Sequence, residues 1–190
     1  MEPLAKDLRH TVFAALMAAL VIAGSYMAIP IGPVPITLQS MFVLLAGLLL
    51  GKFWGSMALA VYLIAGAAGL PVFAHGKGGL AVLFGPTGGF LFSFLLAAFI
   101  TGMISEKSMR LFAGNRIKII VFDVVALIFG SIVIFALGVP WFKFITGHPW
   151  EQSLGWTLYP FIPGAIIKLI AAAAITQLVR PIISKSPNQI

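Results

Sequence analysis

The sequence predicts an all-α membrane protein with six transmembrane helices. Three observations carry that prediction: too few charges for a water-facing surface, six long apolar runs, and basic residues gathered in alternate loops. Hydrophobic residues make up 61% of the 190 positions and charged residues 9%, whereas soluble domains carry about 25% charged residues. A compact body of this length cannot cover itself in water with so few Lys, Arg, Asp and Glu. The lipid bilayer has to solvate it. A crossing helix needs roughly 20 apolar residues, with about 17 to 25 usual, and such runs cover 12–29, 36–50, 53–70, 88–104, 119–137 and 159–179. The second and fourth are short. An even number of crossings leaves both termini on one side, which sorts the loops into two sets. One set carries Lys6, Arg9, Lys52, Lys107, Arg110, Arg116, Lys118, Arg180 and Lys185; the other carries only Lys77 and Lys143, with Lys168 inside the last run. Cytoplasmic loops beside membrane spans are enriched in Lys and Arg, so both termini are expected in the cytoplasm.

No linker of Ser, Gly, Pro or like charges divides the chain, so residues 1–190 are read as a single integral membrane domain. The charged opening Met1 to His10 looks like the start of a signal peptide, but no A-x-A-like cleavage site precedes a polar mature region, and the first run is kept as a span. That run contains Ala14, Ala15, Ala18, Ala19 and Ala23. Small residues four apart let helices approach closely in lipid, either against another subunit or within the bundle. Pro30, Pro33 and Pro35 then impose a stiff, extended connection, since none can donate a backbone hydrogen bond or continue a helix. Gly47, Gly51 and Gly55 flank the turn between the second and third runs and are read as internal packing, with Trp54 at the inner interface. The connection from Leu70 to Gly89 is apolar for a loop in water. Non-helical backbone at membrane depth is tolerated only where protein buries it or a cavity accepts it. Both connections are therefore candidate walls of a pocket, with ordinary Gly/Pro turns as the plainer reading. Asp123, in the fifth run, is the only acid well inside a span and falls near the inner end. Trp141, Trp150, Trp156 and Tyr159 gather at the outer interface, where amphipathic rings prefer to sit.

Several function classes are excluded. Cysteine is absent, no His-Glu-x-x-His or Gly-x-Ser-x-Gly pattern occurs, and the three histidines His10, His75 and His148 are far apart in the chain; neither a metal site nor a matched nucleophile and base is expected. The chain is not read as an enzyme, and no cofactor is expected. Gly47 to Phe53 falls one residue short of a phosphate-binding loop and lacks its Ser or Thr. The basic residues do not cluster on one stretch, which removes a nucleic-acid partner despite the formal charge of +7. No repeat relates the first three runs to the last three, which disfavours the inverted-repeat carriers. A self-contained secondary carrier or channel for a small solute stays as the alternative function. Such a carrier would place several acids near the midplane, where Asp123 alone qualifies.

Lys168 carries the most weight. It follows Pro163-Gly164 by about one turn in an otherwise apolar run, and a charge at the bilayer centre costs on the order of 3 kcal/mol, so an intramembrane lysine is by default functional. Asp123 is a possible partner by charge but is placed near the opposite membrane face. Snorkelling is the bland alternative, because Lys168 lies about 13 Å along the helix from Tyr159. Otherwise Lys168 faces a cavity open to the outside and meets a polar or anionic group of a ligand.

Four segments, taken in order with the six runs, resemble the BioY family: Ile29 to Gln39 (IPIGPVPITLQ), Gly69 to Phe73 (GLPVF), Gly85 to Gly89 (GPTGG), and Pro160 to Gly164 (PFIPG) with Lys168. The resemblance spans nearly the whole chain. It implies the S component of an energy-coupling-factor transporter in the bacterial cell membrane, which captures biotin from the outer face. It also implies docking on a transmembrane coupling subunit (EcfT-like) with two ATPase subunits. In S components the docking face resembles the Ala-x-x-x-Ala pattern formed here by Ala14, Ala15, Ala18 and Ala19. One departure matters: family members commonly carry Asp three residues before the lysine, where this chain has Ala165. Ligand, or another residue, must then compensate Lys168. Gln39, Thr37, His75 and Tyr159 are the candidate partners that, with Lys168, form the expected ligand site.

Overall fold

A computed structural model describes the backbone of residues 2–184 and the side chains of residues 8–183; Lys185 and the Lys6 side chain of the basic-loop pattern lie outside the described residues. In chain order the elements are α1 (Glu2–Tyr26), β1 (Ala28–Ile29), β2 (Ile36–Thr37), α2 (Gln39–Ala67), a 3-10 turn (Ala74–Gly76), α3 (Leu80–Leu83), α4 (Gly88–Leu111), α5 (Arg116–Thr146), α6 (Trp150–Thr157) and α7 (Phe161–Ser184). Five of the helices, α1, α2, α4, α5 and α7, are long and apolar enough to cross a membrane.

The difference from the six runs of the sequence arises in α2, where the second and third runs join. Helical bonding resumes on both sides of one residue, Gly51, whose backbone (φ 78°, ψ −179°) is not helical. In an unbroken helix residues nine apart stand about 13.5 Å apart along the axis. Yet a Cβ on Gly55 would sit 2.8 Å from the carbonyl oxygen of Ala46, so α2 folds back on itself at Gly51. The limbs 39–50 and 52–67 lie side by side, and the Glu106 carboxylate accepts from the Lys52 amide (2.9 Å) where the second limb begins. Gly47 and Gly102 let α4 approach both limbs: a Cβ on Gly47 would lie 3.0 Å from the Gly102 nitrogen, and one on Gly102 would lie 2.7 Å from Lys52 Cα. The glycines around this turn pack internally, as the sequence indicated.

The proline-rich connection closes as a two-stranded antiparallel ribbon, pairing Ala28 with Thr37 and Ile29 with Ile36. This small sheet corrects the purely helical expectation. Its three prolines occupy the turn rather than the paired positions, since proline cannot donate to a ladder. The 70–87 connection folds back as expected: Phe73 is buried against Tyr62, with the two rings edge to face at 5.5 Å. Gly66 leaves the room its ring occupies. α5 runs well past the expected end at Leu137, through Pro140, and stops at Gly147, a left-handed C-cap whose N–H reaches the Lys143 carbonyl (2.9 Å). α6 was not anticipated; it is an eight-residue helix between the fifth and sixth runs, with Pro149 at its N-cap.

The deepest packing lies between α2, α4 and α5, around Leu44, Leu48, Leu59, Tyr62, Ala97 and Leu127. Arg9 donates to the carbonyl of Ile183, bringing the two ends of the described chain together, and His10 stacks on Trp54 near the Gly51 turn (5.4 Å). Arg180, taken from the sequence as a loop residue, instead turns into the bundle from α7 and pairs with Asp123 at 2.5 Å. Asp123 is thus the partner of Arg180 and not of Lys168.

The Gly51 conformation falls in a region essentially confined to glycine, where other residues pay of order 1–3 kcal/mol. Gly51→Ala should lower the stability of the purified protein by at least that amount, since its methyl would also displace the Glu106 carboxylate, seen as a lower thermal midpoint in detergent. Gly155→Ala, in α6 with open space where its methyl would go, should change it by less than about 0.5 kcal/mol.

Candidate ligand-binding site

A cavity of about 250 Å³ opens at the end of the bundle away from the paired termini. It lies just below the roughly 300–1,000 Å³ usual for small-molecule pockets, which suits a compact solute. Both irregular connections form its walls: Pro33 and Val34 from the ribbon turn, and Phe73, His75 and Lys77 from the 70–87 segment. The start of α2 supplies Gln39 and Ser40, α4 supplies Phe90 and Phe94, α5 supplies Ser131 and Phe135, and α7 supplies Phe161, Ala165 and Lys168. Aromatic rings make up much of the surface, and the polar groups sit at few points. Lys77 and Lys168 are cations, and among the described residues no Asp or Glu lines the wall. An apolar body with a polar or anionic group is the complement of such a wall.

Lys168 turns into this cavity. Its Nζ donates to the Thr37 carbonyl at 3.1 Å and to Ser40 Oγ at 2.8 Å. The ribbon ends and α2 begins at these residues, so the turn between strand and helix places a carbonyl and a hydroxyl where the ammonium arrives. An ammonium has three N–H donors; two are used here, which leaves one for a ligand. Ala165, one turn earlier on α7, lines the same cavity and presents only a methyl group.

Beside the lysine, Gln39 is held from two sides. Its Nε2 donates to Tyr62 Oη (2.5 Å), and Thr37 Oγ1 donates to its Oε1 (3.0 Å) while accepting from the Gln39 amide (3.3 Å). Tyr62 is fully buried, and its ring edge meets Phe73. One network therefore ties the polar floor of the cavity to its 70–87 wall. His75 reaches the cavity from a left-handed backbone (φ 59°), a conformation uncommon outside glycine that marks a position held by its surroundings.

Of the residues singled out in the sequence, Lys168, Gln39, Thr37 and His75 meet at this cavity. Tyr159 does not: it sits in the turn before α7, 59% exposed, and does not line the wall. Its place among the interfacial aromatics explains it better than a ligand contact. Ser40, Lys77, Phe73 and Tyr62 were missed. Ser40 neighbours Gln39 and Lys77 shares a loop with His75, so proximity in sequence was the available signal; Tyr62 looks in sequence like any span aromatic. The alanines of α1 divide: Ala14 and Ala18 are buried in the bundle, whereas Ala15 and Ala19 face outward.

The fold defines a mostly helical protein with five helices long and apolar enough to cross a membrane, enclosing a cavity near one end of the bundle. The model of the BioY family matches residues 1–185. A biotin transporter BioY of Thermotoga maritima is 40% identical over 170 residues, covering 88% of this chain and 94% of that protein. One from Rhizobium etli is 36% identical over 174 residues, covering 90% and 92%. Among solved structures, the S component for biotin from an ECF-type ABC transporter superposes with a TM-score of 0.82 at 33% identity, covering 93% of each chain. This chain belongs to the BioY family.

Ser40→Ala should cost the ligand-free protein about 1.5 to 3 kcal/mol, because it removes a hydrogen bond to a charged group. Ala165→Asp should act in the opposite direction by giving Lys168 a carboxylate on the same helix face. Thermal midpoints of the two variants in the absence of ligand, placed on either side of the parent, check both signs.

Proposed function

We propose that this chain is the S component of an energy-coupling-factor transporter and captures biotin for uptake, with Lys168, Gln39, Thr37 and His75, joined by Ser40 and Lys77, forming the ligand site. The observation that carries this reading is the Lys168 ammonium, held inside an aromatic cavity by two hydrogen bonds with one donor to spare. Biotin matches such a site in chemistry. Its ureido head offers two donors and one acceptor, its sulfur ring is apolar, and its valerate tail is an anion that a lysine can neutralise. Phe73, Phe90 and Phe94 supply apolar surface for the rings.

The membrane arrangement belongs to the same proposal. Residues 1–190 form one integral membrane domain of the bacterial cell membrane with six crossings, the limbs of α2 counted separately. Both termini are cytoplasmic and the cavity opens outward. The loop distribution of Lys and Arg supports that orientation. A transmembrane coupling subunit and two ATPase subunits would complete the transporter, with the exposed Ala15 and Ala19 of α1 on the docking face. The self-contained carrier needs a free acid in the membrane, and the pairing of Asp123 with Arg180 weighs against it.

Purified protein in detergent should retain biotin at micromolar ligand without nucleotide or partner; retention no greater than in empty detergent removes the proposal. Lys168→Ala should weaken binding roughly ten- to hundredfold, the loss of a charge-assisted bond worth about 1.5 to 3 kcal/mol. Equal affinity in the variant rejects Lys168 as a ligand contact. Ala15→Leu and Ala19→Leu should block assembly with the coupling subunit while leaving biotin binding intact, because bulk on a close-packed face prevents approach. Ala14→Leu and Ala18→Leu, buried within the chain, should instead lower the stability of the isolated subunit by about 1–3 kcal/mol through overpacking. Pull-down and thermal midpoint together separate the two pairs.

A further inference from the structure

α7 carries the key lysine but is the least embedded of the long helices: 17% of its span is buried, against 61% for α4. Its buried residues are Phe161, Ala172 and Thr176. Apolar packing therefore does little to fix the rotation of α7 or its height along the bundle. Lys168, Ala172, Thr176 and Arg180, spaced four apart, form one ridge of the helix. At 3.6 residues per turn such a ridge drifts about 40° every four residues. The two cations consequently flank the buried line of Ala172 and Thr176 on opposite sides, one near each end of the helix.

Each cation is fastened by polar bonds. Lys168 is tied to the ribbon and to α2, as described above. Arg180 makes a two-pronged pair with Asp123, Nη1 to Oδ2 at 2.5 Å and Nη2 to Oδ1 at 3.0 Å, and Nη2 also donates to Ser105 Oγ (2.9 Å) and the Leu48 carbonyl (3.2 Å). Ser105 donates to Asp123 (2.8 Å), and Gln177 Nε2 adds a bond to the same carboxylate (3.3 Å). Asp123 is 1% exposed. A planar guanidinium gripping a carboxylate with two parallel bonds fixes geometry as well as charge, and α2, α4, α5 and α7 all meet at this point. Neither Asp123 nor Arg180 lines the cavity.

We infer that Asp123 and Arg180 are positioning residues for Lys168. Their pair sets the rotation and height of α7, and the helix carries that setting about 18 Å to the ammonium in the cavity. The inference deepens the function proposed above and rests on it for the ligand measurements alone.

The chain has no cysteine, so Ala165→Cys places a single reactive thiol in the cavity wall. Its labelling rate with a small methanethiosulfonate reagent reports the setting of α7 without any ligand. Asp123→Asn with Arg180→Gln removes both charges together and strands neither; it should change that rate severalfold. Arg180→Lys, which keeps the charge but loses the two-pronged geometry, should change it in the same sense and serves if the neutral pair fails to fold. Biotin titrations then form a cycle with Lys168→Ala. The altered pair should weaken binding about tenfold where Lys168 is present and by less than about twofold where it is absent. An unchanged labelling rate overturns the inference, as does an equal loss of affinity in both backgrounds, which a merely structural role predicts. Failure of the parent to bind biotin sinks the proposed function instead, and the labelling comparison then decides the role of the pair.

Discussion

An ammonium drawn into an apolar bundle must find acceptors before anything else about its helix can be settled, and Lys168 finds them in the Thr37 carbonyl and the Ser40 hydroxyl. Much of the site follows from that requirement. The acceptors exist because the backbone changes there from a two-residue strand to a helix, and the strand exists because Pro30, Pro33 and Pro35 confine pairing to the ends of the ribbon. Ala165, one turn earlier on α7, offers the ammonium no carboxylate, and neutral acceptors do the solvating. Two of the three lysine donors are used and its charge is not neutralised, which leaves one donor and the charge available to a ligand.

Close packing supplies the second half of the arrangement. The reversal at Gly51, the approach of α4 at Gly47 and Gly102, and the seating of Phe73 over Gly66 all depend on missing side chains. They bring Gln39, Tyr62 and the 70–87 segment within reach of one another. The polar network of Gln39, Thr37 and Tyr62 is worth having only because that backbone is held still; a loose bundle would leave a buried amide with intermittent partners, which is costly in a low-dielectric interior.

The sequence disclosed the apolar helices, the folding-back of both irregular connections and the weight of Lys168, which the structure places in the cavity wall, because hydropathy, proline chemistry and the cost of a buried charge act locally along the chain. It also brought forward Gln39, Thr37 and His75, which share a cavity with Lys168. Ser40, Lys77 and Tyr62 were hidden: nothing in a single sequence says which neighbour of Gln39 will face an ammonium, or that a tyrosine two turns before a loop will hold an amide. Tyr159 misled because an aromatic ring beside a Pro-rich break suits an interface as well as a pocket. Arg180 misled for a related reason, since a guanidinium at the end of an apolar run resembles a loop cation until its acid, 57 residues away in sequence, is seen beside it.

The hairpin of α2 also has a consequence for the surrounding lipid. Counted as a crossing, the limb over 52–67 rises only about 24 Å, against a hydrocarbon core of about 30 Å. The partner limb escapes this shortfall, because residues 43–48 are enclosed by protein, but Phe53, Met57, Val61 and Ile64 are exposed along the outer face of the short limb. Acyl chains beside a crossing that short would have to shorten or splay to meet it, at a cost of fractions of a kcal/mol per Å. With this limb as a crossing, the bilayer around the protein would be thinner along one flank than the other, and that asymmetry would favour one side for neighbours in the membrane plane.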